Sequence, residues 1–177
     1  VGTVRDTAFF QNVKNARVLN HTEALKVDRS NKSVHIRTAN GEVQQLPYDK
    51  LVLATGAEAT IAPIPGVELN NIYSLKDIHD ADRIKEKLAG HQALNAVIVG
   101  GGLIGVEVAE AFSEMGCRIT MVEFLPQILG MMDPEMAQLV EKHFESKGVK
   151  VMTGTRVTEF QGDTCVKKVI TDKGELP

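Results

Sequence analysis

The chain has 177 residues, with 20 Lys and Arg against 23 Asp and Glu and a formal charge of −3, so it carries no basic footprint for nucleic acid. Its 43% hydrophobic content suffices for a packed core, yet no apolar run approaches the ~20 residues of a membrane span. Length fits one full domain or two incomplete ones, and the start at Val1 shows neither a basic n-region nor a cleavage pattern, so a cytoplasmic protein is expected.

Residues 1–56 read as a short helix near 5–11 and then short strands at 16–21, 23–28, 33–37 and 43–46. Arg29-Ser30-Asn31-Lys32 precedes the third strand and Asn40-Gly41 the fourth, and Asn-Gly between alternating runs is a strong hairpin signal. The result is an antiparallel meander feeding LVLATG, residues 51–56, an apolar strand. A linker follows, since the two prolines of Ile61-Ala62-Pro63-Ile64-Pro65-Gly66 suit neither a helix interior nor a central strand. Residues 74–88 then predict an amphipathic helix with Leu75, Ile78, Ala81, Ile84 and Leu88 on one face.

The most informative stretch is AVIVGGGLIGVEVAEAFSEMGCRITMVE, residues 96–123. A β-branched run meets Gly100, Gly102 and Gly105 in G-x-G-x-x-G spacing, a helix runs to Met115, Gly116 breaks it, and a second β-branched run ends at Glu123. The first glycine turns the strand tightly, the second lets a pyrophosphate approach bare backbone, and the third packs helix on strand. The helix start offers N–H groups and a positive dipole end to phosphates. Glu123 can accept both hydroxyls of an adenosine ribose. Strand, glycines, helix, strand and acid in register point to a dinucleotide; a unit whose glycines serve packing alone would have no need of the acid. A carboxylate repels a 2′-phosphate, and no base follows Glu123 until Lys142, so NADH is expected over NADPH.

Farther on, Asp133-Pro134-Glu135 predicts a helix start with a capping acid and a proline at the first position. Met136, Leu139, Val140 and Phe144 would form its apolar face, and Gly148 its stop. A strand at 149–152 completes a second crossover, giving a parallel sheet of at least three strands. Strands at 156–160 and 164–171 form a hairpin around Gly162-Asp163, and a last turn at Lys173-Gly174 heads toward a strand lying beyond the chain. Cys117 and Cys165 make neither a redox pair nor a metal cluster and read as small buried apolar residues. His21, His35, His79, His91 and His143 never pair at ligand spacing, and no P-loop, G-x-S-x-G or H-E-x-x-H pattern occurs, so no metal site and no hydrolase chemistry is expected.

Three segments in this order resemble a family, the FAD- and NAD(P)H-dependent pyridine nucleotide-disulfide oxidoreductases. YDKLVLATGAEA (48–59) is similar to the strand closing the first flavin segment. IPGVELNNIYSLKDIHDADRIKEKL (64–88) resembles the linker and first helix of the NADH oxidase and coenzyme A-disulfide reductase branch. GGGLIGVEVAE together with MVEFLPQILGMMDPEMAQLV (121–140) fits the NAD domain of that branch. The resemblance implies an α/β fold: a Rossmann-like, three-layer NAD-binding domain (parallel sheet, helices, β-meander) over 76–177, preceded over 1–75 by an antiparallel piece of a FAD-binding domain.

It also implies roles. Gly100, Gly101, Gly102 and Gly105 form the pyrophosphate turn, Leu103 and Ile104 lie toward the nicotinamide, and Glu123 meets the adenosine ribose. Glu107 matches a family acid near nicotinamide and flavin, although a solvated acid in the first helical turn would need no such role. Ala54, Thr55 and Gly56 would lie close to FAD. Full-length relatives carry a flavin glycine motif, a redox cysteine, a second flavin segment and a dimerisation domain, none of which is in these residues. The chain therefore reads as an internal portion with no catalytic residue of its own and no turnover alone. Its expected partners are NADH and the remainder of its own polypeptide, in a homo-oligomer. The parent would pass hydride from NADH to FAD and on to a disulfide, polysulfide, peroxide or oxygen. The rival is a free-standing NAD-sensing module, against which the ATG strand and proline-rich linker speak.

Overall fold

The computed structural model describes residues 5–90 and 94–177, so His91 lies outside the described residues. Contacts divide the chain into two compact units, Val1–Gly56 and Ala57–Pro177. In the first unit, α1 (Thr7–Lys14) starts where the Asp6 carboxylate accepts the Phe9 N–H at 2.8 Å and stops at Asn15, which adopts a left-handed conformation. The strand predicted over 16–21 does not form. Residues 20 and 21 make a turn and His21 sits at φ +51°, a conformation that breaks an extended run. Strands β1 (Glu23–Asp28), β2 (Ser33–Arg37) and β3 (Val43–Pro47) then form the expected antiparallel meander. Its first turn is closed by Asp28, whose carboxylate accepts the backbone N–H of Asn31 at 3.0 Å and its side-chain amide at 2.8 Å. Those two bonds hold the Asp28 carboxyl below its ordinary pKa. Its second turn uses Gly41 at φ +86°.

Residues 51–56 have no regular secondary structure and no ladder partner among the described residues, contrary to the predicted strand. Val52 is 85% and Leu53 71% exposed. Apolar sequence supplies the propensity for a strand, but the hydrogen bonds must come from a neighbour.

In the second unit, α2 (Ile78–Leu88) begins later than the apolar pattern suggests. A reciprocal capping box decides the start: Asp77 accepts the Asp80 N–H at 3.1 Å, and Asp80 accepts the Asp77 N–H at 3.3 Å. Leu75 thus lies ahead of the helix and Ile78 is exposed, correcting the predicted face. Strands β4 (Asn95–Val99), β5 (Arg118–Val122) and β6 (Lys150–Met152) are parallel in the order β4-β5-β6, linked by α3 (Leu103–Glu114) and α4 (Pro134–Ser146). An antiparallel meander follows: β7 (Val157–Gly162), β8 (Val166–Thr171) and β9 (Gly174–Leu176). β9 corrects the expectation that the last turn leads out of the chain; three residues are too short a run to register as a strand pattern.

Alternation along the parallel strands sorts their side chains between two cores. Ile98, Ile119, Met121 and Val151 face α3 and α4, packing with Ala109, Ile128, Leu129, Phe144 and Val149. Val97, Val122 and Met152 face the meander and pack with Val157, Phe160, Val169 and Leu176. The predicted three layers of helices, sheet and meander are therefore present. On α4 Ala137 and Phe144 are buried and Val140 is half-buried against the same core, whereas Met136 and Leu139 are exposed. Asp133 occupies the N-cap position of α4 without a side-chain bond, so Pro134 alone of the predicted start signals acts as read. No helix among the described residues is long and apolar enough to cross a membrane.

The proline-rich linker is docked rather than loose. Ile64, Val67, Leu69 and Ile72 pack against the meander core, and the Phe160 N–H donates to the Pro65 carbonyl at 2.8 Å. Gly66 (φ +81°) sits where a Cβ would lie 2.0 Å from the Phe160 carbonyl oxygen. Gly148, at φ +82°, has nothing within 4 Å of the same position. Alanine at Gly148 should cost about 1–2 kcal/mol for the left-handed backbone alone, and alanine at Gly66 clearly more. Urea unfolding of the two variants checks this, and equal losses would show that the linker is not held against β7.

Candidate functional site

The C-terminal ends of β4 and β5 bring the glycine turn and Glu123 together. The turn opens at Gly100, whose φ of +111° favours glycine and whose N–H donates to the Val122 carbonyl at 2.8 Å. Gly105 is required by packing, since its Cβ would lie 2.0 Å from the Gly100 carbonyl oxygen. Gly101 is required by packing too, for a Cβ there would meet the Ile128 side chain at 2.6 Å and the Glu123 Cβ at 3.2 Å. Gly102 differs from all three. Its φ is −75°, which any residue adopts, and nothing lies within 4 Å of where its Cβ would stand. Neither backbone conformation nor packing explains a glycine at this position, and the space beside it is open to a group approaching the turn from outside.

Gly102 is also the N-cap of α3 and offers no side chain to cap it. The first-turn N–H groups and the positive end of the helix dipole therefore face the same approach, which suits a pyrophosphate. Leu103 and Ile104 follow, both exposed at the helix start. Glu107 is exposed on α3, but the first turn of that helix holds no acid, so the dipole account of Glu107 does not apply.

Glu123, half-buried just beyond β5, is held by its own backbone and by its carboxylate. Its N–H donates to the Met152 carbonyl and its carbonyl accepts the Thr155 N–H, both at 2.9 Å. One carboxylate oxygen accepts the Gly101 N–H at 2.6 Å and the other the Leu125 N–H at 2.6 Å. A carboxylate has about four acceptor positions, so two bonds leave capacity for the hydroxyls of a ribose. The residues present thus fit a dinucleotide at both its pyrophosphate and its adenosine ribose.

Ala54, Thr55 and Gly56 end the first unit as exposed chain, with Gly56 at φ +74°. Near Glu123 the fold adds a residue that the linear sequence does not place there. Arg156 sets its guanidinium 4.2 Å from the centre of the Phe124 ring, beside Glu123. The nearest base in sequence after Glu123 is Lys142, but the nearest one shown by this contact arrives from the start of the meander. Only the pairing that aligns Thr155 with Glu123 could have revealed it.

Comparison with known proteins gives a consistent result. The family model described as pyridine nucleotide-disulphide oxidoreductase matches residues 4–176. A NADH oxidase of Methanocaldococcus jannaschii is 32% identical over 92% of this chain and 37% of its own length. A rubredoxin-NAD(+) reductase of Pseudomonas putida is 30% identical over 97% of this chain and 43% of its own length. Among solved structures, an NAD-dependent persulfide reductase from A. fulgidus superposes with a TM-score of 0.85 and 39% identity, covering 99% of this chain and 32% of that one. The chain spans less than half the length of each of these relatives.

The sorting of the glycines yields a stability contrast. Gly102→Ala should change unfolding free energy by no more than about 1 kcal/mol, the scale of an N-cap exchange. Gly105→Ala should cost at least ~2 kcal/mol, because its Cβ meets backbone. Denaturant unfolding of the two variants decides it, and comparable losses would mean that Gly102 has a packing role after all.

Proposed function

Because this chain belongs to the pyridine nucleotide-disulphide oxidoreductase family, we propose that its second unit binds NAD(H) for a flavin-dependent oxidoreductase. The observation that carries the reading is Gly102, a glycine unexplained by conformation or packing, set between the start of α3 and the Glu123 carboxylate. In this reading Gly100, Gly101, Gly102 and Gly105 form the backbone surface for the pyrophosphate. Glu123 accepts the adenosine ribose hydroxyls, Leu103 and Ile104 give an apolar edge on the nicotinamide side, and Glu107 stands near the reacting rings. Ala54, Thr55 and Gly56 belong to the portion that meets FAD.

Nicotinamide and flavin supply hydride transfer between them, a chemistry that belongs to the cofactors. These residues bind, orient and exclude water. The relatives are named for different acceptors, an oxidase, a persulfide reductase and a rubredoxin reductase. A portion common to all of them supports the view that the acceptor (disulfide, polysulfide, peroxide or oxygen) is chosen elsewhere in the polypeptide. We place the working protein in the cytoplasm as a homo-oligomer, with these residues inactive when separated from the remainder.

NADH should bind more tightly than NADPH, because the Glu123 carboxylate opposes a 2′-phosphate. Gly102→Val should lower NADH affinity by more than tenfold, since its side chain fills the space that the pyrophosphate needs. Fluorescence titration of wild type and variant with both nucleotides checks this. Tighter binding of NADPH would overturn the preference, and unchanged NADH affinity in Gly102→Val would overturn the site.

A further inference from the structure

We infer that Glu123 has a second role, as the positioning residue that latches the pyrophosphate turn in its binding shape before any dinucleotide arrives. The inference rests on the functional reading above and extends it. Three independent restraints converge on Gly101. Its N–H is taken by the Glu123 carboxylate at 2.6 Å. Its carbonyl accepts the Leu129 N–H at 2.7 Å. Its α-carbon lies so close to Ile128 that a Cβ would stand 2.6 Å from that side chain.

The loop that supplies the second and third restraints is itself over-determined. Ile128 is fully buried, and its N–H donates to the Glu141 carboxylate on α4 at 3.2 Å. Leu129 is buried at φ +49°, a left-handed conformation that a bulky side chain rarely takes and that surrounding contacts must sustain. Its own carbonyl accepts the Met132 N–H at 2.7 Å. The other Glu123 oxygen ties the start of the same loop through the Leu125 N–H. One carboxylate thus joins the glycine turn to the loop that braces it. A turn fixed this way does not have to be ordered by the ligand, so less binding free energy is lost to ordering.

This second role separates from ribose binding when the ribose hydroxyls are removed from the ligand rather than from the protein. The probes are NADH and the same dinucleotide carrying 2′,3′-dideoxyribose at the adenosine, titrated into the full chain. Wild type should bind the dideoxy form more weakly than NADH. Glu123→Ala should weaken the dideoxy form by about a further tenfold, although that ligand has nothing for the carboxylate to hold. Glu123→Gln should fall between the two, since its amide oxygen can still accept the Gly101 N–H.

Equal affinity of wild type and Glu123→Ala for the dideoxy form, with NADH affinity reduced, would overturn the latch and leave the functional reading standing. A wild-type chain that bound neither ligand would overturn both. A measurement that needs no variant is hydrogen exchange of the Gly101 amide in the nucleotide-free wild type. The latch requires slow exchange, comparable with amides inside β5; exchange at the rate of an open loop amide would refute it.

Discussion

Strand β5 is the constraint from which the second unit follows. Among the described residues it is the strand of the parallel sheet paired on both sides, to β4 and to β6. Ile119 and Met121 on one face and Val122 on the other feed the two cores. A shift of one residue in its register would exchange those faces and place buried methyls against the wrong layer. The same register fixes where the strand stops, and so fixes Glu123 beside the glycine turn. Packing of apolar side chains thereby sets the position of a charged group that serves no core.

The parts legible in the sequence were those governed by local rules. The G-x-G-x-x-G turn, the strand–helix–strand order, the Asn-Gly hairpin and the Pro134 helix start all depend on residues close in the chain. What escaped depends on partners distant in sequence. Residues 51–54 look like a strand because they are apolar, but no ladder partner stands beside them among the described residues. Residues 16–21 fail for a conformational reason, the left-handed His21. On α4, Met136 and Leu139 match a helical period as well as Ala137 and Val140 do, and only the direction of the sheet decides which stripe is buried. At the site, the glycines and the acid were readable, whereas the Glu123 bonds to Gly101 and Leu125 and the arrival of Arg156 required the fold.

The four glycines of the turn also show why a motif is weaker evidence than its geometry. Gly100 answers to backbone conformation, and Gly101 and Gly105 answer to neighbouring atoms. Any Rossmann-like unit with this packing would need those three whether or not it bound a nucleotide. Gly101 falls on a position that the motif leaves free, yet a Cβ there would stand 2.6 Å from the Ile128 side chain, a restriction looser than the backbone oxygen 2.0 Å from the Cβ position of Gly105. Evidence for a ligand therefore concentrates on Gly102, the one member that the protein itself does not demand.

Charge near the proposed ribose site has two opposing sources, and their surroundings differ. Glu123 is half-buried, with its carboxylate fixed by two backbone N–H groups. Arg156 is exposed and stacked on Phe124, with its guanidinium open to water and counter-ions. Screening falls most heavily on exposed charges, while partly buried ones are screened much less. Turning the guanidinium toward a 2′-phosphate would also give up its contact with the aromatic face, worth about 0.5–1 kcal/mol at an exposed site. The carboxylate has no comparable freedom to withdraw, because moving it breaks its bonds to the Gly101 and Leu125 N–H groups. On the proposed reading, selection against the phosphate and the shape of the pyrophosphate turn depend on the same two oxygen atoms, so neither can change without the other.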